Sequence, residues 1–161
     1  MSRYFLDTSA IVKRYHWEDG SDIIDGLFAE ADAELVISDI SIIEFYSALS
    51  LKVRVGEIDE ENFVSLRKLF SQDIKKEIYE VAEFTNAEKL ESTKLLLKYA
   101  KKHSLKTLDA MQLSVMKAIS QTELKAVVCA DEKFCKVIAI EGFPVTNPIK
   151  DVPLQEGNAS Q

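Results

Sequence analysis

The sequence predicts an α/β protein built on a parallel sheet with helices on both faces. Short apolar runs, such as residues 4–6 and 126–130, alternate with longer segments in which apolar residues recur at helical spacing. Strands separated by helices favour right-handed crossovers and therefore parallel pairing. In sheets of this type, binding sites form beyond the carboxyl ends of the strands.

Two strands and four helices are predicted in the first half of the chain. Residues 3–6 form an apolar run of strand length, whereas Ile24, Leu27 and Phe28 lie on one stripe of a helix. Apolar residues surround most of the segment 40–53, which predicts a buried helix that ends at Gly56. The expected order is a strand over 3–6, helices over 9–15 and 21–31, a strand over 35–37, and helices over 40–53 and 59–70.

The second half of the chain is predicted to alternate between strands and helices. Leu90 and Leu97 share a helical segment with Lys94 and Lys101, which indicates that its outer faces are solvated. The continuous apolar run from 126 to 130 is the clearest strand. The expected order is a strand over 77–81, helices over 87–101 and 107–120, a strand over 126–130, a helix over 132–138 and a strand over 143–146.

Composition and charge narrow the class of protein. With 161 residues, 47% of them hydrophobic, we expect one domain over residues 1–150 and a flexible polar tail over 151–161. The net charge of −7 argues against broad attachment to nucleic acid but leaves room for a local basic rim. Only two cysteines occur, and Cys129 lies in an apolar run, so we expect a reducing compartment. No apolar run approaches the roughly 20 residues that span a bilayer, so we expect a cytoplasmic protein.

Four acids stand at or beside apolar segments that would carry them inward. Asp7 follows the first strand, Glu44 lies inside the apolar segment 40–53, Asp109 follows Leu108, and Asp131 closes the run 126–130. If the fold gathers these carboxylates, repulsion in a poorly solvated cleft would raise their pKa values unless a counter-charge is bound. Oxygen-rich clusters of this kind suit Mg²⁺ or Mn²⁺, ions that activate water against phosphodiesters.

Each acid also has a purely structural interpretation. Asp7 and Asp131 each precede a predicted helix and could cap its N-terminus by accepting backbone N–H bonds. Asp109 lies in the first turn of its helix, where the helix dipole favours an acid. Glu44 is harder to explain, because small residues such as Ser47 lie beside it and no basic residue shares its face. The alternative for Glu44 is an exposed side chain on an irregular helix.

Several other residues are weaker candidates for roles in the same site. Thr8 and Ser9 could donate hydrogen bonds to the Asp7 carboxylate or to the helix backbone. We expect them to orient the acids rather than to bind a cation themselves. His16 and His103 lack partners at ligand spacing, so neither a zinc site nor a Ser-His-Asp triad is supported. The candidate phosphate contacts are Lys13, Arg14 and Lys133, with Lys52 and Arg54 as further sources of positive potential.

The order of these motifs resembles the PIN-domain nucleases, and within them the VapC-like toxins of toxin–antitoxin pairs. The similar segments together span about residues 3 to 148, nearly the whole chain. Cys135 departs from the family pattern, and Asp39 adds an acid near the second motif. The similar segments are 4–13 (YFLDTSAIVK), 38–48 (SDISIIEFYSA), 105–113 (LKTLDAMQL), 130–134 (ADEKF) and 142–145 (GFPV).

This resemblance implies a three-layer α/β/α sandwich and a metal-dependent endoribonuclease. Asp7 and Asp109 would be the principal ligands of Mg²⁺ or Mn²⁺, and Glu44 and Asp131 would complete the acidic cage directly or through water. RNA would be the substrate. The resemblance further implies a homodimer and a VapB-like antitoxin as partners, with no membrane association.

Three alternatives stay open beside the toxin interpretation. A noncatalytic PIN-like binding or scaffold domain would keep the fold without using the acids, and a stand-alone RNA-processing nuclease would keep the chemistry without an antitoxin. A phosphoacceptor receiver-like domain would also place acids at strand ends with Mg²⁺. Such a domain needs paired acids after its first strand, however, and Leu6-Asp7-Thr8 offers one.

Overall fold

The structure, a computed structural model, describes residues 1–120 and 123–150. These residues form five strands and seven helices. The predicted tail over 151–161 lies outside the described residues. The elements are β1 (Ser2–Leu6), α1 (Thr8–Tyr15), α2 (Ser21–Ala29), β2 (Ala33–Ser38), α3 (Asp39–Arg54), α4 (Glu60–Lys75), β3 (Glu80–Ala82), α5 (Asn86–His103), α6 (Thr107–Ile119), β4 (Ala126–Val128), α7 (Glu132–Ile140) and β5 (Val145–Thr146).

The sheet is parallel throughout and has the strand order β3-β2-β1-β4-β5, so β1 lies at its centre. Tyr4 of β1 aligns with Leu35 of β2 on one side and with Ala126 of β4 on the other. The backbone N–H of Asp7 donates to the carbonyl oxygen of Val128 at 3.0 Å, which joins the ends of β1 and β4. The predicted parallel α/β sheet is therefore confirmed, and its central strands end side by side.

Alternating side chains divide the core into two layers, one on each face of the sheet. Phe5 of β1 and Val127 of β4 belong to the cluster that packs against α5, α6 and α7. Leu6 and Val128, one residue further along each strand, belong to the cluster that packs against α1, α3 and α4. Because successive side chains of a strand point to opposite faces, the apolar strands require helices on both sides. The result is the predicted three-layer α/β/α sandwich.

The helices α3 and α6 carry two of the acids and differ in burial. Most of α6 is buried from residue 110 to residue 116, as predicted. The prediction of a buried α3 was wrong in part, because only one face, with Phe45 and Leu49, enters the core. On the other face, Ile43 and Leu51 are exposed. The solvent-facing side of α3 thus carries apolar residues among polar ones, and these apolar residues predict full burial when only the sequence is considered.

Several element boundaries differ by one to five residues from the sequence prediction, and two of the differences have a clear structural reason. The helix α4 continues to Lys75 rather than ending near residue 70, because Ile74 also packs against the core. The short strand β3 then begins at Glu80 rather than at residue 77, since Glu77 adopts a left-handed φ of 56° in the intervening turn.

Among the residues that the structure describes, no helix combines the length and apolarity needed to cross a bilayer.

Candidate active site

A cleft of about 850 Å³ opens at the carboxyl edge of the sheet. Its wall is formed by the junction of β1 with α1, one side of α3, the first turn of α6 and the residue that precedes α7. All four acids that the sequence singled out line it, namely Asp7, Glu44, Asp109 and Asp131. Carboxylates from four separate parts of the chain therefore share one cleft.

Asp7 is the most buried of the four acids, with 8% of its surface exposed. It caps α1, since its Oδ2 atom accepts hydrogen bonds from the Ser9 backbone N–H at 3.1 Å and the Ser9 hydroxyl at 2.5 Å. Burial raises the pKa of Asp7, the bonds from Ser9 oppose that rise, and the charge of Asp131 adds to it. The capping interpretation is thus observed, and it leaves the carboxylate in the cleft.

Glu44 is half-buried on the side of α3 that borders the cleft. Its Oε1 atom accepts a hydrogen bond of 2.6 Å from Nε2 of Gln112. Burial raises the pKa of Glu44, the bond from Gln112 opposes the rise, and the charges of Asp7 and Asp109 increase it. An exposed glutamate on an irregular helix, the alternative left open by the sequence, does not describe this side chain.

Asp109 stands in the first turn of α6 and is also half-buried. Burial and the charge of Asp7 raise the pKa of Asp109 to about 6, although the nearby Lys106 ammonium opposes the rise. An aspartate with a pKa near 6 loses its proton only close to neutral pH. A positive charge bound in the cleft would favour its ionised form.

Asp131 lies at the rim of the cleft and caps α7. Its Oδ1 atom accepts hydrogen bonds from the backbone N–H groups of Lys133 at 3.0 Å and Phe134 at 3.1 Å. Its Oδ2 atom lies 3.7 Å from Nζ of Lys106. Asp131 therefore combines the structural role of a helix cap with a position among the cleft acids.

Thr8 and Ser9, the predicted supporting residues, both line the cleft. Besides donating to Asp7, the Ser9 hydroxyl accepts a hydrogen bond of 2.9 Å from the backbone N–H of Ala130, which links the segment after β4 to the acid. The Thr8 hydroxyl is buried and makes no hydrogen bond of standard geometry. It nevertheless lies near enough to Glu44 to contribute a lowering of that pKa.

Two of the three predicted phosphate contacts lie away from the cleft. Lys13 is 5% exposed, and its ammonium pairs with Glu18 at 2.9 Å. Arg14 pairs with Asp25 at 2.7 Å on the surface. Neither Lys13 nor Arg14 is among the residues that line the cleft.

Among the described residues, the cations that line the cleft are Arg54 and Lys106. The sequence predicts Arg54 as a source of positive potential. It does not single out Lys106 as a cation of the site, although Lys106 stands three residues before Asp109. Lys133, the third predicted phosphate contact, lines a small adjoining pocket together with Lys106 and Asp131.

The residues at the cleft fit a hard divalent cation by their chemistry. Carboxylate oxygens are the donors that Mg²⁺ and Mn²⁺ prefer, and the raised pKa values of three acids indicate charges that lack compensation. Within residues 1–120 and 123–150, no three His, Cys, Asp or Glu side chains are grouped closely enough to hold an ion. Mg²⁺ is commonly held by one or two carboxylates while it keeps several waters, so a looser set in an open cleft suits it.

Gln112 is a further residue of the site that sequence reasoning did not single out. It lies on α6 between Met111 and Leu113, and only 1% of its surface is exposed. An amide on the buried stripe of an apolar helix was the available signal, because such a group must find hydrogen-bond partners.

The fold and the cleft define the class of protein, a parallel α/β/α sandwich with four acids lining a cleft at the carboxyl edge of its sheet. The family model described as PIN domain matches residues 4–139. The chain belongs to the PIN domain family, as its sequence motifs predicted. No curated protein sequence matches the chain.

Solved structures share this fold at low sequence identity. VapC20 of Mycobacterium tuberculosis, a sarcin-ricin loop cleaving toxin, is 16% identical with a TM-score of 0.63, over 87% of this chain and 95% of that one. FitAcB of Neisseria gonorrhoeae is 18% identical with a TM-score of 0.62, over 90% and 97%. VapBC2 of Rickettsia felis, bound to a DNA fragment from its promoter, is 18% identical with a TM-score of 0.58, over 90% and 98%. At these identities the likeness establishes the fold alone.

Proposed function

We propose that this protein is a Mg²⁺- or Mn²⁺-dependent endoribonuclease that hydrolyses RNA phosphodiester bonds. The observation that carries the proposal is the meeting of Asp7, Glu44, Asp109 and Asp131 in one cleft. Three of these acids have raised pKa values, so each would gain from a bound cation. Placement beyond the carboxyl ends of β1 and β4 is also typical of sites in parallel sheets.

The four carboxylates divide into ligands and helpers in this proposal. Asp7 and Asp109, which both line the cleft, are the principal holders of the cation, as the resemblance to PIN-domain nucleases implies. Glu44 and Asp131 complete the cage directly or through water, and one of them orients the attacking water or accepts its proton. Ser9 holds Asp7 in place by its 2.5 Å hydrogen bond.

A bound divalent cation supplies charge that lowers the pKa of water and stabilises the negative phosphoryl and leaving 3′ oxygens. The chain contributes Arg54 and Lys106, whose positive charges stand at the same cleft and can contact phosphates of the RNA backbone. They place positive charge at the cleft although the chain as a whole carries a net charge of −7.

We further propose that the enzyme is the toxin of a toxin–antitoxin pair. It would then be a cytoplasmic homodimer that a VapB-like antitoxin inhibits. The shared fold with VapC20, a toxin, and with the VapBC2 assembly supports this role. A stand-alone RNA-processing nuclease would have the same cleft. A noncatalytic scaffold is disfavoured, since such a domain has no need of four cleft acids.

Cleavage of a labelled single-stranded RNA tests the activity. The parent protein should cut the RNA with Mg²⁺ or Mn²⁺ and not with EDTA, whereas Asp7→Asn and Asp109→Asn should lose at least roughly 100-fold in rate, as expected for cation ligands. Asp22→Asn is the matched control, because Asp22 is exposed on α2 and lies outside the cleft. Cleavage in EDTA, or full activity in folded Asp7→Asn, would overturn the proposal.

The toxin role has its own test. An adjacent reading frame that encodes a small DNA-binding protein should yield a product that co-purifies with this chain and blocks its cleavage of RNA. Light scattering of the purified protein should give twice the mass of the 18.2 kDa chain. An active nuclease with no inhibitory neighbour would support the stand-alone alternative.

A further inference from the structure

Gln112 is a buried polar side chain in a helix that otherwise packs into the core. Leu113 and Met116 of the same helix are fully buried in the cluster beneath α6. A buried carboxamide costs free energy unless its N–H and C=O groups are all hydrogen-bonded. The contacts of Gln112 must therefore account for its place in this helix.

Three hydrogen bonds satisfy the Gln112 carboxamide. Its Oε1 atom accepts a bond of 2.7 Å from the Ser38 hydroxyl. Its Nε2 atom donates to the Ser41 hydroxyl at 2.9 Å and to Oε1 of Glu44 at 2.6 Å. Both amide protons are thus engaged, one of them by a carboxylate, which is the stronger kind of hydrogen bond.

These bonds allow one orientation of the amide. Ser38 caps α3 and accepts the backbone N–H of Ser41 at 3.1 Å. Its hydroxyl donates to Gln112 at 2.7 Å, a shorter contact than the 3.2 Å to the Ser41 hydroxyl. If the amide were turned over, its oxygen would face the Glu44 carboxylate, and two acceptors would meet without a proton between them. The sheet end at Ser38 therefore fixes the amide, and the amide faces Glu44 with a donor.

The same amide joins the two helices that carry acids. Gln112 lies three residues after Asp109 on α6, close to one helical turn, and bonds Glu44 on α3. It does not line the cleft, so it would touch neither cation nor RNA. We propose that Gln112 is a positioning residue. Its buried carboxamide holds the Glu44 carboxylate at a fixed position relative to Asp109, so that both can bind the cation. This inference rests on the proposed function, because it concerns the same cation site.

A double-mutant cycle on Mn²⁺ affinity tests the inference. The dissociation constant of Mn²⁺ is measured by electron paramagnetic resonance for the full-length parent, Gln112→Met, Glu44→Ala and the double variant. Gln112→Met should weaken Mn²⁺ binding by roughly 10-fold, as for other residues that orient a ligand. In the Glu44→Ala background the same substitution should have little effect, because the group it positions is gone.

Ser114→Ala provides the matched control. Ser114 is a buried polar residue of the same helix, and its hydroxyl bonds the Met111 carbonyl at 2.7 Å and Ser92 of α5 at 3.1 Å, away from the cleft. The Ser114→Ala substitution should leave the Mn²⁺ affinity unchanged even if it lowers the melting temperature. An unchanged affinity in Gln112→Met, or an equal loss in both Glu44 backgrounds, would overturn the positioning role.

If Gln112→Met does not fold, Ser38→Ala tests the positioning role of Gln112 instead. This change removes the hydroxyl that orients the amide, so it should weaken Mn²⁺ binding in the same direction, by a smaller factor, and only when Glu44 is present. An affinity equal to that of the parent would count against the inference. Failure of the parent to bind Mn²⁺ would instead remove the proposed function, and the positioning role with it.

Discussion

Replacing Asp109 by Asn should stabilise the cation-free protein at neutral pH. Burial and the charge of Asp7 raise the pKa of Asp109 from 3.8 to about 6, so the ionised side chain is unfavourable in the fold. Asparagine has nearly the same shape but carries no charge. The substitution therefore removes the cost of burying a charge and the repulsion by Asp7, while it keeps the packing of the first turn of α6.

The size of the effect follows from the shift in pKa. Each pKa unit corresponds to about 1.4 kcal/mol, and a rise of roughly two units gives an upper limit near 3 kcal/mol. Asp109 is partly exposed, so solvent screening reduces the expected gain to about 1–2 kcal/mol. Because the folded pKa is the higher one, the destabilisation is absent below pH 3.8, grows as the pH rises to about 6 and is complete above it. The advantage of Asp109→Asn should follow the same course.

Urea unfolding in EDTA and in Mg²⁺ measures this prediction, with Asp22→Asn as the control. In EDTA at pH 7.5 the Asp109→Asn variant should be the more stable protein. Saturating Mg²⁺ should reverse the order, since a cation at roughly 100 times its Kd adds about 2.7 kcal/mol to the parent only. A variant less stable than the parent in EDTA, or equal stabilisation of both by Mg²⁺, would refute the reasoning.

Three further predictions concern stability away from the cleft. Gly20→Ala should cost at least about 1–2 kcal/mol, because Gly20 has a φ of +86° and a Cβ there would lie 2.7 Å from the carbonyl oxygen of Pro148. Gly26→Ala, in α2 with open space around its Cα, should instead stabilise by about 0.5–1 kcal/mol in the same urea titration. Burial would raise the pKa of Glu141, yet hydrogen bonds from Lys98 and neighbouring donors lower it to about 2. Glu141→Gln should thus cost about 1–3 kcal/mol at pH 7, and the difference should shrink as the pH falls from 4.5 toward 2; a loss independent of pH would contradict the ion-pair account.

The layered fold could be predicted because its central strands, β1 and β4, are short, apolar and largely buried. Such runs appear plainly at residues 3–6 and 126–130, and each is followed within a few residues by an acid. The burial of α3 could not be predicted in the same way. Its solvent-facing side holds Ile43 and Leu51, and a pattern of apolar residues does not indicate which of them the fold leaves uncovered.

The acids of the cleft were recognisable because each stands out against its local sequence. The surroundings of other residues depend on contacts between elements. The sequence predicts that Lys13 is an exposed cation that could contact phosphate. In the structure its ammonium is paired with Glu18, which lies just after the end of α1. The hydrogen-bond partners of the Gln112 side chain are distant in sequence, because they are Ser38 at the end of β2 and residues of α3 such as Glu44.

Crystals grown with Mn²⁺ and measured near the manganese absorption edge would locate the cation. The anomalous difference map should show a peak in the cleft, roughly 2.1 Å from carboxylate oxygens of Asp7 and Asp109. Crystals of Asp109→Asn should show a weaker peak or none. A protein that cleaves RNA with Mn²⁺ while its only peak lies outside this cleft would contradict the account.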